Sequence, residues 1–340
     1  MSALVDLRVR ESGESGLTRI DEDVSSEPRR SASVGVAFAA LVLVAAVWVS
    51  LRLSQTLPSE LERDAPQAVA ATLPETLDGF DVDAGYLPDD SLLGFVEIPA
   101  GPFVMGSDPG VDPLAFDIEW WGEGRVQGTI DLPRFFMARF EVTVAQFAAF
   151  VQASGRTDRI DPKSLEGPLL LPVSHVSWTD AVAYADWLDQ TLRQGDATPA
   201  ALRRLLDEGW RVALPTEAQW EKAARGTDGR IYPWGNQPRA NAATYRAPGP
   251  TPVGTHSCPD CAYPLADMAG NVWEWTRSPY QPYPYDPSDD RSGPEADALW
   301  VMRGGSFGDP EQMIRAANRG GADPGARRPF IGFRVALVQE

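Results

Sequence analysis

An uncharged, apolar run near the N-terminus constrains this chain more than any other feature. No charged residue lies between Arg30 and Arg52, and residues 34–49 read VGVAFAALVLVAAVWV. About 20 residues in a helix, rising about 1.5 Å each, cross the hydrocarbon core of a bilayer. An amphipathic core helix would carry polar positions at regular intervals, and residues 34–49 carry none. The sequence therefore predicts one transmembrane helix over residues 31–53.

The segments on either side indicate how this helix is used. The charged segment over residues 1–30 precedes it, which favours an uncleaved signal anchor over a cleaved signal peptide. The flanking arginines are slightly more numerous on the N-terminal side, and this bias favours a cytoplasmic N-terminus. We expect a disordered cytoplasmic tail over residues 1–30 and a C-terminal domain outside the cytoplasm, in the periplasm or at the cell surface.

Composition predicts an extended linker and argues against nucleic acid as a partner. Residues 54–92 are rich in Pro, Ala, Asp and Glu, which predicts an extended acidic linker before a folded domain over residues 93–340. The chain has 340 residues with 48 acidic against 30 basic side chains, a net charge of −18. Nucleic-acid binding requires clustered Lys and Arg, so this balance argues against nucleic acid as a partner.

Helix and strand signals are concentrated in the first half of the folded domain. Apolar periodicity, Gly/Pro punctuation and capping residues place most elements before Gly226. The chain beyond it is rich in Gly, Pro, Asn and aromatic residues with little period, so hydrogen bonds, caps or bound ions must hold it. The predicted elements are strands over 95–99, 101–106, 136–142 and 332–338, and helices after Thr143, after Ser177 or Thr179 to about residue 190, over 199–208, and after Thr216.

Seven short motifs occur in a fixed order through the domain. They are FVMGS (103–107), PVSHVSW (172–178), LPTEAQWE (214–221), YPWGN (232–236), DMAGNVWEW (267–275), RGGSF (303–307) and GFR (332–334). Together they resemble the formylglycine-generating enzyme, or sulfatase-modifying factor, domain over residues 93–338. The resemblance implies a single loop-rich α+β domain related to C-type lectins, which often holds calcium. It does not imply one activity, because the family contains copper oxidases, iron-dependent enzymes and relatives that are not catalytic.

The resemblance also identifies what this chain lacks. In the enzyme, two cysteines after the Arg-Gly-Gly-Ser motif bind copper and activate oxygen to convert a sulfatase cysteine into formylglycine; paired thiolates suit Cu(I). The segment here, after Ser306, contains no cysteine and offers only Met313 as a soft ligand. Two further positions of the enzyme's oxygen pocket match by motif, Trp273 and Ser306. A structural role is the preferred interpretation of both.

The two cysteines of the chain lie elsewhere, at Cys258 and Cys261. A Cys-X-X-Cys pair can be a disulfide, a redox dithiol or half of a metal site. A redox pair usually begins a helix, whereas this one lies in a loop that contains Pro259, and His256 is the one further ligand nearby. Outside the cytoplasm the preferred interpretation is a disulfide, with the other two left open.

Calcium is the cofactor that the resemblance supports best. The family's site maps onto Asp267, Gly270, Val272 and Glu274, and carboxylates with backbone carbonyls in one irregular loop suit this ion. Without an ion, Asp267 and Glu274 would repel in a region that lacks Lys. A second family site matches only at Asn241 and Ala242, so we expect one calcium ion.

Two functional hypotheses remain open from the sequence. The first is a membrane-anchored module that binds a protein, peptide or other ligand. The second is a metal-dependent oxidoreductase of the same family, which would use copper or iron on a protein or peptide substrate.

Two surfaces are candidate contacts for a partner. One is the acidic and aromatic loop over residues 112–123, with Trp120 and Trp121. The other is a groove for an acidic or carboxylate-bearing partner, formed by arginines near the C-terminus: Arg303, Arg315, Arg319, Arg327, Arg328 and Arg334. Of these, Arg303 and Arg334 lie in family motifs and are expected to bridge loops, and Arg327 and Arg328 are the expected surface pair.

Overall fold

The computed structural model describes residues 73–122, 124, 126–291 and 298–339. The predicted tail, the predicted transmembrane helix and residues 54–72 of the predicted linker lie outside these residues. No helix of the described part is both long and apolar enough to cross a membrane. The α-helices are α1 (Val144–Ser154), α2 (Trp178–Gln194), α3 (Ala200–Asp207) and α4 (Glu217–Arg225), with short 3-10 helices at Asp117–Glu119, Pro162–Leu165 and Asp289–Arg291. The strands are β1 (Phe80–Asp81), β2 (Leu87–Pro88), β3 (Phe95–Ile98), β4 (Gly101–Met105), β5 (Gly128–Leu132), β6 (Phe135–Ala138), β7 (Arg211–Ala213), β8 (Trp273–Pro279), β9 (Trp300–Arg303), β10 (Arg319–Ala322), β11 (Ile331–Phe333) and β12 (Ala336–Val338).

Local capping explains where three of these α-helices begin. Thr143, Ser177 and Thr216 each accept a hydrogen bond from the third residue of the following helix, whose side chain in turn accepts from the capping residue's N–H. Such a capping box satisfies two backbone donors that the helix itself cannot pair. The sequence prediction is confirmed at these positions, with Ser177 rather than Thr179 as the cap of α2, and α2 continues to Gln194.

Two four-stranded sheets carry the rest of the domain. The first has the strand order β3-β6-β12-β7 and is antiparallel throughout. The second has the order β10-β9-β8-β11, in which β8 and β11 run parallel with Trp273 opposite Ile331. The pairs β1-β2 and β4-β5 form separate two-stranded ribbons. Because both four-stranded sheets join distant parts of the chain, most of this architecture depends on contacts that are remote in sequence.

The structure corrects the predicted boundaries at both ends of the domain. Folded chain begins before the expected residue 93: Leu87 of β2 is buried, and Gln146 of α1 donates to the carbonyl of Tyr86 at 2.9 Å. The predicted strand over 136–142 ends at Ala138. The predicted final strand over 332–338 is two strands, β11 and β12, in different sheets. The break between them falls at Arg334, whose buried side chain reaches Glu274 instead of continuing a ladder.

Buried ion pairs join α4 to strands β9 and β10 of the second sheet. Glu217 and Glu221 of α4 are buried, and Arg319 donates to both carboxylate oxygens of Glu217 at 2.8 and 2.7 Å. Arg303 pairs with Glu221. A buried carboxylate requires a partner of this kind, because removal of its charge from water is costly. The expected loop-bridging role of Arg303 and Arg334 is therefore confirmed, whereas the groove expectation is wrong for Arg315 and Arg319, which are also buried.

Candidate functional site

Trp273 and Ser306, the two residues matched to the enzyme's oxygen pocket, lie side by side. Trp273 is the first residue of β8, and Ser306 follows β9 after two glycines with positive φ, so the end of that strand turns toward the indole. Both side chains are buried, at 6% and 4% exposure. The structure thus brings together two residues that lie more than thirty positions apart in the sequence.

A carboxylate occupies the space between them. Trp273 Nε1 donates to Asp309 Oδ2 at 2.9 Å, and Ser306 donates to the same oxygen from its backbone N and from Oγ, each at 2.8 Å. Hydrogen bonds to an ionised acceptor are about twice as strong as neutral ones, so three on one oxygen fix this carboxylate. We call this group the family pocket: Trp273, Ser306 and Asp309. Motif matching identified Trp273, Ser306 and the absence of cysteines after Ser306, but it did not identify Asp309.

Neither thiolate nor imidazole ligands reach the family pocket. Cys258 and Cys261 are joined in a disulfide, the preferred of the three interpretations. Among the two His residues of the chain, His256 contacts Thr244 Oγ1 and the carbonyl of Asn241, and His175 lies 3.8 Å from Asp161. A Cu(I) dithiolate or a two-His-one-carboxylate iron site therefore does not fit these residues. In the described ranges, no three His, Cys, Asp or Glu side chains are arranged to hold a metal ion.

The predicted calcium ligands surround a buried arginine. Arg334 donates to Oε1 and Oε2 of Glu274, each at 2.6 Å, and Trp220 Nε1 donates to Oε2 at 2.6 Å. Arg334, which was not considered in the sequence, offsets the repulsion expected between Asp267 and Glu274 in the absence of an ion. The carboxylate of Glu274 is already neutralised and hydrogen-bonded on both oxygens.

Two further carboxylates leave this cluster with excess negative charge. Glu141 is fully buried and accepts from the Asn271 side-chain amide at 2.7 Å and from the backbone N of Val272 at 3.2 Å. Burial, followed by the nearby carboxylates of Asp267 and Glu274, holds the pKa of Glu141 well above its usual range. Asp267 accepts from the backbone N of Gly254 with Oδ2, while its buried Oδ1 has no hydrogen-bond partner in the structure. The Asp267 end of the predicted site therefore fits a cation better than the Glu274 end.

The weaker second calcium site is not assembled from carboxylates. Asn241 is exposed, and its backbone carbonyl accepts a hydrogen bond from His256 Nδ1 at 3.1 Å. Ala242 is the next residue, half-buried beside the apolar group of Ile231, Tyr232 and Trp234. These contacts connect two loops and give the two residues a structural role.

The acidic and aromatic loop is held in place by Arg315. This buried guanidinium donates to Asp112 and to Glu119, each at 2.7 Å, so the loop adjoins the segment that carries the family pocket. Trp120 is 40% exposed, as expected, but Trp121 is 5% exposed and contacts the ring of Tyr283. The loop is thus only partly the exposed surface that the sequence suggested.

A separate cleft of about 800 Å³ lies among α2, β7, the end of β5 and the segment after β8. Its walls include Val182, Ala185 and Leu214 with the ring of Trp178, and Asp290 faces it. Ser278 Oγ and Tyr285 Oη donate to the two oxygens of Asp290. Burial raises the pKa of Asp290 to about 6, although these donors and Arg277 oppose the shift. No short motif could have identified this cleft, since its residues come from separate segments.

Comparison with known proteins agrees with the fold and the motifs. The family model of the sulfatase-modifying factor enzyme 1-like domain matches residues 85–338. A formylglycine-generating enzyme from Thermomonospora curvata is 33% identical, over 73% of this chain and 95% of its own. A hercynine oxygenase from Mycolicibacterium smegmatis is 30% identical over 71% of this chain and 60% of its own. An inactive C-alpha-formylglycine-generating enzyme 2 from Mus musculus is 34% identical, over 49% of each chain. The solved structure of PvdO from Pseudomonas aeruginosa has a TM-score of 0.54 and 26% identity, over 72% of this chain and 93% of its own.

Proposed function

This chain belongs to the sulfatase-modifying factor enzyme 1-like domain family, and we propose which of the family's functions it has. We propose that it is a membrane-anchored, extracytoplasmic binding module without the copper-dependent oxidation of cysteine. The one observation that carries this proposal is the position of Asp309, whose Oδ2 accepts three hydrogen bonds from the two residues of the family pocket. A carboxylate fixed between Trp273 and Ser306 leaves their donors engaged with the chain itself.

The distribution of thiols supports the same proposal. Copper-dependent oxidation in this family needs two thiolates near the Arg-Gly-Gly-Ser motif, and this chain has 2 cysteines in all, which form the Cys258–Cys261 disulfide. One relative carries the word inactive in its name, so likeness to the family does not require the reaction. Binding without turnover is consistent with these residues.

A cysteine-oxidation assay tests the proposal. The full-length chain is incubated with Cu(I), oxygen, a reductant and a cysteine-containing sulfatase peptide, and aldehyde product is trapped with a hydroxylamine and detected by mass spectrometry. The related Thermomonospora curvata enzyme serves as the positive control. We expect no aldehyde above a reaction without protein. Aldehyde formed at a rate comparable to that of the control enzyme would overturn the proposal.

A metal-dependent oxidoreductase is the second candidate. Trp273 and Ser306 remain within hydrogen-bond reach of one atom, as a functioning pocket would require, and relatives include a hercynine oxygenase. Elemental analysis of the full-length chain, purified without chelator and then incubated with Fe(II) or Cu(I), separates the candidates. The binding module predicts neither metal in stoichiometric amount, whereas one iron or copper per chain favours the oxidoreductase.

Membrane attachment through residues 31–53 is part of the proposal and is supported by the apolar run in the sequence. The full-length chain should sediment with membranes and resist extraction at alkaline pH, whereas a chain lacking residues 1–53 should remain in the supernatant. Protease added to intact cells or spheroplasts should cleave the C-terminal domain if it lies outside the cytoplasm. Release of the full-length chain by alkaline extraction would contradict the anchor.

Calcium is also proposed. Asp267 Oδ1 is the ligand with most support, with the backbone carbonyls of Gly270 and Val272 as the further ligands suggested by the family motif. Glu274 would contribute charge near the ion while it remains paired with Arg334. The ion would brace the loop that precedes β8 and would have no part in chemistry.

A further inference from the structure

We propose that the cleft lined by Trp178, Tyr285 and Asp290 binds an organic ammonium ion with an apolar body. This inference names the ligand class of the binding module, so it rests on the proposed function. The cleft is separate from the family pocket, since Trp273, Ser306 and Asp309 are not among its lining residues.

The size and walls of the cleft fit a small organic molecule. Its volume of about 800 Å³ lies within the range of small-molecule sites, about 300–1,000 Å³. Val182, Ala185 and Leu214 contribute apolar surface to the cleft, and Leu132 of β5 also lines it. Removal of an alkyl or aryl group from water against such walls is favourable, which explains the apolar body of the proposed ligand.

The polar end of the cleft is a carboxylate in a fixed position. Ser278 Oγ donates to Asp290 Oδ1 and Tyr285 Oη donates to Oδ2, so the Asp290 side chain is held by two hydroxyl groups of the surrounding chain. Each carboxylate oxygen can accept more than one hydrogen bond. The carboxylate can therefore keep its two present donors and still accept an ammonium N–H from the cleft.

Aromatic rings complete the case for a cation. Trp178 and Tyr285 both line the cleft, and the indole of Trp178 is fixed by stacking on Trp300 at a centroid distance of 3.8 Å and by donation from Nε1 to the carbonyl of Thr276. Aromatic faces attract ammonium groups within about 6 Å of the ring centre. The cleft therefore offers one carboxylate and two aromatic residues, a combination that suits recognition of an amine.

The other charged residues that line the cleft do not favour an anionic ligand. Arg277 and Arg211 also line the cleft, but Arg277 acts electrostatically on Asp290 and Arg211 on the exposed carboxylate of Asp186. The lining is thus balanced in charge. Over longer distances the net charge of −18 attracts cations toward the protein and repels anions.

Calorimetric titration of the full-length chain tests the inference. The probe is benzylammonium, whose N–H groups can donate to Asp290, and benzenesulfonate is the matched anion with the same ring. We expect saturable binding of the cation, at least tenfold weaker binding of the anion, and at least tenfold weaker cation binding by D290N. The variant V182W should also lose binding, because it fills the cleft without changing charge, whereas D158N, which alters an exposed carboxylate outside both the cleft and the acidic and aromatic loop, should bind as the unmodified chain does.

The titration tests only the cleft assignment, and the cysteine-oxidation assay tests only the binding-module proposal. Absence of cation binding by the unmodified chain, equal binding of the anion, or full binding by both D290N and V182W would overturn the cleft assignment. Circular dichroism and thermal melting of the variants show whether they fold, and V182W decides the case if D290N does not. Cysteine oxidation measured on the same preparation decides the binding-module proposal separately, whatever the titration shows.

Discussion

The family pocket and the cleft each hold an aspartate by hydrogen bonds from the surrounding chain, Asp309 in the first and Asp290 in the second, and they differ in how those bonds are distributed over the two carboxylate oxygens. Asp309 receives an indole N–H, a backbone N–H and a hydroxyl on a single oxygen, all from Trp273 and Ser306. Asp290 receives two hydroxyls, one on each oxygen, and also borders a cavity of about 800 Å³. A carboxylate can therefore occupy the family pocket, as Asp309 does, or remain accessible to a ligand, as we propose for Asp290. The hydrogen bonds from neighbouring residues determine which of the two occurs.

The largest predicted effect is on stability when Asp309 is truncated. In D309A the buried Trp273 Nε1 and both Ser306 donors lose their acceptor, and we expect the free energy of unfolding to fall by about 2–3 kcal/mol. D309N, which keeps an acceptor oxygen, should lose about half as much. Chemical denaturation of the full-length chain measures both values.

Truncation of Asp290 is the matched comparison. Because one side of its carboxylate faces the cleft, water can enter and satisfy Ser278 and Tyr285, so D290A should cost less than about 1 kcal/mol. If D290A proved as costly as D309A, the contrast between a closed and an available carboxylate would not hold.

The next prediction concerns how the stability of the chain depends on pH through Asp290. The folded pKa of Asp290, about 6, lies above its usual value, so between about pH 4 and pH 6 the folded chain binds more protons at this group than the unfolded chain does. The contribution of Asp290 to stability is therefore greatest in acid and is lost as the pH rises toward 6. The unfolding free energy of the unmodified chain minus that of D290N should decline over this window and then level off. A difference that rises with pH would contradict the raised pKa.

The smallest predicted effect concerns calcium. If calcium binds through Asp267, a chelator should lower the melting temperature by a few degrees, and D267N should abolish the response. The paired Glu274–Arg334 carboxylate limits the effect, because it needs no ion for neutralisation. Insensitivity of the unmodified chain to chelator would contradict the calcium proposal.

Local signals in the sequence predicted the helices and missed most of the strands. The capping pairs Thr143–Gln146 and Thr216–Gln219 lie within one helical turn, so a short stretch of sequence is enough to predict where each helix begins. Strands β8 and β9 had no apolar alternation to identify them, since almost every side chain in both is buried. Their pairing with β10 and β11 joins distant segments and depends on buried arginines whose partners cannot be read from spacing.

The candidate sites were predictable to different degrees for the same reason. Motif matching found Trp273 and Ser306, and the position of Asp309 three residues after Ser306 was a readable signal, because a short polar side chain there can accept from the backbone and hydroxyl of a turn. The calcium argument failed to include Arg334, which lies sixty residues beyond Glu274. The cleft could not be predicted, since Trp178, Leu214 and Asp290 meet only in the folded chain.

The most direct test of the central claim is the Cu(I) affinity of the full-length chain, measured by competition with a chromophoric Cu(I) chelator under reducing conditions. We predict that the chelator retains its copper, because the family pocket offers the carboxylate of Asp309 and no thiolate, and that D309A behaves in the same way. One Cu(I) withdrawn from the chelator per chain, with quenching of tryptophan fluorescence that is lost in W273F, would contradict the claim that this pocket is closed to copper.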